Sequence, residues 1–101
     1  MSDLPEITRG IRFEPGHPSF AGHFPGRPIV AGVLLLEQVA LAWREWRGLR
    51  LRSIADAKFV APLLPGEEAM LTLTEISEYR MRFTIVRAGT MLARGTVEGS
   101  T

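Results

Sequence analysis

The stretch that decides the fold is Val33 to Arg47, VLLLEQVALAWREWR. It consists of helix-forming residues without a breaker, it opens at Gly32 or Val33, and Gly48 follows as a C-terminal stop. From Val33 to Trp43 apolar residues run around nearly the whole circumference, which is the pattern of a helix enclosed by protein. A membrane span needs roughly 20 apolar residues, and the apolar run from Val30 to Trp43 is shorter and broken by Glu37 and Gln38. No transmembrane helix is therefore expected. A chain of 101 residues has material for one small sheet besides such a helix, and one small sheet covers only part of it. A second copy of the same chain is the simplest cover for the rest, so a two-fold dimer is expected on physical grounds.

Working outward from the helix, the sequence behind it favours strands. Leu51 to Val60 leads into the turn signal PLLPG at Pro62 to Gly66. In Ala69 to Ile76 the apolar Ala69, Leu71 and Leu73 alternate with Thr72 and Thr74, and in Arg80 to Arg87 Met81, Phe83 and Ile85 alternate with Arg80, Arg82 and Thr84. These are half-buried antiparallel strands. Ala88-Gly89-Thr90 reads as a tight turn into a last strand, Met91 to Val97. Ahead of the helix, Ile7 to Glu14 reads as a strand. Between them, Pro15 to Pro28 (PGHPSFAGHFPGRP) is a loop, because Pro15, Pro18, Pro25 and Pro28 fit neither a helix interior nor a central strand. The expected class is α+β: one long helix wrapped by an antiparallel sheet, in a single domain spanning residues 1–101.

Composition removes several classes of function. The 46% hydrophobic and 23% charged fractions are those of an ordinary globular protein. Without cysteine there is neither a disulfide framework nor a thiolate nucleophile, and with two histidines a metal site is not expected. The N-terminal residues Met1 to Gly10 carry acids and a proline in place of a basic segment and an apolar run, so no signal peptide is read there and a cytoplasmic protein is expected. A net charge of +1 argues against general nucleic-acid binding.

Three features carry chemistry. Glu37 is a carboxylate in the middle of an apolar helix, with Val33, Leu34, Ala40 and Leu41 one turn away. Burying it ionised is costly, so it is expected to be paired or protonated, and the protonated form is what a general acid needs. A structural role, such as bonding a partner subunit, explains the residue equally well when it is taken alone. His23 sits between Gly22 and the Phe24-Pro25 step, in a loop whose prolines and glycines fix the backbone more tightly than an idle connection requires. Its imidazole titrates near neutrality and suits a general base. The helix start at Ala31-Gly32-Val33 offers unpaired N–H groups to a developing oxyanion, and Gly32 allows close approach.

The segment GHFPGRPIVAGVLLLE, Gly22 to Glu37, closely resembles the active-site segment of the hot-dog-fold 3-hydroxyacyl-(acyl-carrier-protein) dehydratases. The shared features are the His-Phe-Pro, the Gly-Val that opens the helix, and an acid fourteen positions after the histidine. The resemblance continues in KFVAPLLPGE, Lys58 to Glu67, and in the alternating strands that follow. It implies the hot-dog fold and the conversion of a 3-hydroxyacyl thioester on acyl carrier protein to the trans-2-enoyl form, in fatty-acid or polyene-type biosynthesis. By the same resemblance His23 takes the Cα proton, Glu37 assists departure of the β-hydroxyl, and the Gly32 backbone N–H polarises the thioester carbonyl, with Val33 and Phe24 beside the substrate. It further implies a homodimer in which the histidine of one subunit faces the acid of the other, and no metal or organic cofactor.

Two rivals remain. A hot-dog thioesterase would use a helix carboxylate to activate water, although the His-bearing loop argues against it. A non-catalytic acyl-binding protein or heterodimer partner is the other. Arg44, Arg47, Arg50 and Arg52, at and beyond the helix end, read first as solvated cations that favour the negative helix terminus. Their functional alternative is a docking patch for an acidic carrier protein.

Overall fold

The computed structural model describes residues 4–14 and 32–101. The elements run in the order β1 (Glu6–Arg12), α1 (Gly32–Arg47), β2 (Arg50–Phe59), β3 (Glu68–Ser77), β4 (Arg80–Arg87) and β5 (Thr90–Ser100). The strands form one antiparallel sheet in the order β1-β3-β4-β5-β2. The helix, the turn before β3 and the alternating strands lie where the sequence puts them, with the last strand extending to Ser100. The loop Pro15 to Pro28, with His17, His23 and Phe24, and also Ala31, lie outside the described residues.

Local chemistry sets the boundaries. Gly48 takes a positive φ of 71° and its N–H donates to the Arg44 carbonyl at 2.8 Å, closing the helix in a left-handed cap. Ala88 and Gly89 both have positive φ, 47° and 83°, and Arg87 pairs with Thr90. This two-residue connection matches the twist of its hairpin. In the segment before β3, Leu63 is fully buried. Glu67 Oε1 holds that segment by accepting from the Leu64 N–H and from Arg87, both at 2.9 Å.

Period-two alternation sends one side of each central strand inward. Leu71 and Leu73 of β3, Met81, Phe83 and Ile85 of β4, and Ala93 and Val97 of β5 are buried there against Leu35, Val39, Ala42 and Trp43 of α1. Two cross-strand rows on this face are Leu71-Ile85-Ala93-Phe59 and Leu73-Phe83-Gly95-Ala57. Gly99 is required by packing, since a Cβ there would stand 2.5 Å from Cη2 of Trp43. Two ion pairs tie the helix to strands on the far side of the sheet from β2: Arg9 to Glu45 at 2.6 Å and Arg47 to Glu75 at 3.0 Å.

The helix packs mainly on β2 and less on β3, yet β2 is the most exposed strand. Nine of its ten residues are exposed and only Leu51 is half-buried. It lies at the sheet edge with two bulges in its pairing to β5, between Leu51 and Ser53 and between Ile54 and Asp56. A long open edge of this kind offers a row of unpaired backbone groups to another chain.

Candidate active site

The helix separates into two faces. Leu35, Val39, Ala42 and Trp43 lie under the sheet, whereas Val33, Glu37, Leu41 and Arg44 are exposed. These four follow one another at spacings of three or four residues, so they form a single stripe along the helix. Val33 is 61% exposed and Leu41 47%, so the carboxylate of Glu37 is flanked one turn above and one turn below by open apolar side chains. The expectation that Glu37 is buried within an apolar helix is thus corrected for the single chain. The apolar circumference is real, but one sheet covers only the half opposite Glu37, and burial of the carboxylate requires a further surface.

The expected oxyanion position, Gly32, is the first residue of α1, where N–H groups lack intrahelical partners. The aromatic ring of Phe59, the last residue of β2, closes over it. A Cβ built on Gly32 would stand 3.0 to 3.3 Å from three ring atoms of Phe59. This position therefore needs glycine because of a close neighbour. Phe59 itself remains 47% exposed. Sequence reasoning missed it as a site residue. Its strand is legible, but that its ring reaches the helix start follows from the register Phe59 to Ala93 and from the packing of α1 on β2. His23 and Phe24, which complete the expected set, lie outside the described residues. The open face therefore carries Val33 and Glu37, while Gly32 and the newly found Phe59 meet where the helix start packs on β2.

Two further surfaces flank this face. A groove of about 480 Å³ continues the helix stripe, with Ala40, Leu41 and Leu51 as its floor and Arg44 and Arg50 at its rim. On the opposite side of the sheet, a hollow of about 620 Å³ includes Lys58, Arg82 and Arg94 with Thr84, Thr96 and Asp56. Lys58 stands directly across from Arg94, a like-charge pair that is unfavourable unless something neutralises it. The four arginines considered as one docking patch divide in the structure. Arg47 is engaged by Glu75 and stacks on Trp46 at 4.3 Å, whereas Arg44 and Arg50 face the groove.

Among the described residues no helix is long and apolar enough to cross a membrane. The chain resembles several solved hot-dog structures. The dehydratase heterocomplex ApeI:P from Xenorhabdus doucetiae superposes with a TM-score of 0.81 at 23% identity, covering 95% of this chain and 88% of that one. A 1,4-dihydroxy-2-naphthoyl-CoA thioesterase from Synechocystis gives 0.68 at 17% identity, covering 94% and 80%. At these identities the likeness establishes the hot-dog fold. In sequence, the FabZ 3-hydroxyacyl-(acyl-carrier-protein) dehydratase of Herpetosiphon aurantiacus is 37% identical over 92 residues, 82% of this chain and 61% of that protein. The FabZ of Mannheimia succiniciproducens is 44% identical over 73 residues, 62% and 49% of the two chains. The chain spans about half the length of most of the curated relatives it matches. The model of the ApeI-like family, described as ApeI dehydratase, matches residues 2–96, and the chain accordingly belongs to that family of hot-dog dehydratases.

Proposed function

We propose that this chain, read as a single domain, dehydrates a 3-hydroxyacyl thioester carried on acyl carrier protein to the trans-2-enoyl thioester. The observation that carries the proposal is Glu37, a carboxylate standing on the open, apolar face of α1 little more than one turn from the Gly32 helix start. His23 removes the Cα proton and the electrons of that bond form the Cα–Cβ double bond. The Cβ–O bond breaks as the hydroxyl takes a proton from Glu37 and leaves as water. The Gly32 N–H stabilises negative charge on the thioester oxygen as it develops. His23 is left protonated and Glu37 ionised, and a proton passing from one to the other through water resets the site. Val33, Phe24 and Phe59 line the reacting end of the chain, and no cofactor takes part.

The same reading makes the protein a dimer joined along β2, with each active site at the interface. The open edge supports it, as do Val33, Leu41, Ile54 and Phe59, which are apolar and 44% to 61% exposed. Pairing with a related but non-identical chain is a second reading. The edge carries Arg50, Arg52 and Lys58 against Asp56 alone, so two identical edges repel, and the Xenorhabdus relative is a heterocomplex. Acidic carrier protein docks on the outer hollow at Lys58, Arg82 and Arg94, where charge is complementary. A cytoplasmic setting belongs to the same reading.

Mass spectrometry of a 3-hydroxyacyl carrier protein incubated with the purified protein tests the activity. Loss of one water is expected with the wild type and not with His23→Ala or Glu37→Ala. Release of free acid would replace this reading with a thioesterase, and an unchanged substrate across several chain lengths would leave an acyl-binding or heterodimer partner.

A further inference from the structure

The groove beyond Glu37 has a chemistry of its own. Its floor is apolar, made by Ala40 and Leu41 of α1 and Leu51 of β2, and its far rim is cationic, made by Arg44 and Arg50. Neither arginine has an ion-pair partner among the described residues. Arg44 lies seven residues beyond Glu37 on the same stripe, which at 1.5 Å of rise per residue is roughly 10 Å. An acyl chain with its reacting carbon at Glu37, laid along this stripe over Leu41, covers the apolar floor and brings its far end between two guanidinium groups. A terminal methyl there contacts neither cation favourably, and both stay hydrated on this exposed rim. A terminal carboxylate accepts from both, and guanidinium geometry favours such paired hydrogen bonds.

Resting on the dehydratase reading for the direction of the chain, we propose that the groove is a subsite for the far end of the acyl chain, and that Arg44 and Arg50 select chains of about ten to twelve carbons ending in a carboxylate. Leu41 and Leu51 hold the methylene stretch between the two polar ends. Closure of the open face by a second chain turns the groove into a tunnel and strengthens the arginine contacts by excluding water.

The test measures binding by calorimetry to the full chain, using the unreactive pantetheine amides of dodecanoic and dodecanedioic acid. The dicarboxylic ligand is expected to bind roughly tenfold more tightly, the yield of one charge-assisted interaction. Arg44→Gln and Arg50→Gln should each remove most of this preference without changing dodecanoyl binding, and Arg44→Lys should restore part of it. Equal affinities in the wild type, a preference that survives both substitutions, or no binding of either ligand would overturn the subsite. Turnover of 3-hydroxydodecanoyl carrier protein, followed in parallel, separates the two readings. Turnover without a terminal-group preference defeats the subsite alone, and a preference without turnover defeats the dehydratase reading alone.

Discussion

On one side of α1, Leu35, Val39, Ala42 and Trp43 lie against the sheet; on the other, Val33, Glu37, Leu41 and Arg44 are exposed. Both sides are rich in apolar residues, yet they answer different demands. The covered side fills space between α1 and β3, β4 and β5, where every methylene contributes to stability and a change of shape is felt as a cavity or a clash. The open side contributes little to the folding of one chain and keeps its apolar area, its carboxylate and its cation available for something else. Stability and function thus divide across the width of a single helix. Substitutions on the covered side should lower stability, and those on the open side should change activity, assembly or ligand choice at constant stability.

The largest contrast lies between Glu37 and Trp43. Glu37→Gln is expected to reduce dehydration by about a hundredfold or more, the usual worth of a general acid, with a melting temperature equal to that of the wild type by circular dichroism. Trp43→Ala empties the centre of the core and should cost about 3–5 kcal/mol in chemical denaturation. A loss of stability from Glu37→Gln comparable with that from Trp43→Ala would break the division between the faces. Gly99→Ala comes next. Its methyl group would press on the Trp43 ring, and an overpacked core of this kind costs about 1–3 kcal/mol. Trp43→Phe in the same background should recover part of the loss, because it makes room and removes an indole N–H that has no partner among the described residues.

Leu41→Lys should leave the unfolding of the single chain unchanged and weaken dimer formation about tenfold or more by sedimentation, since it sets a charge in the apolar surface awaiting cover. An unaltered dimer would show that the open face is not the interface. The smallest effect belongs to Arg9→Gln, which breaks the Arg9–Glu45 pair on a partly exposed surface. Such pairs contribute about 1 kcal/mol or less, and denaturation of the variant should register no more.

Much of this was legible in the residues alone. The unbroken run Val33 to Trp43, the stop at Gly48, and the alternation in β3 and β4 specify the helix and sheet, because periodicity and caps are local properties of the chain. The surplus of apolar surface on α1 was legible too, since apolar residues run around more of the helix than one sheet covers. Glu37 was visible as a charge in an apolar run; Gly32 was read as a place for substrate to approach the backbone, and the neighbour the structure puts there is the ring of Phe59. The sequence by itself could not say which half of the helix the sheet would take. That follows from the crossing of α1 over β2 and β3, and it decides that Glu37 faces outward in the single chain. Nor did the sequence mark Phe59 as the neighbour of Gly32, or bring Lys58, Arg82 and Arg94 to one hollow, or separate Arg47 from Arg44 and Arg50. Those juxtapositions join residues distant in the chain, and cross-strand register and packing against the helix set them, so only the tertiary structure decides them.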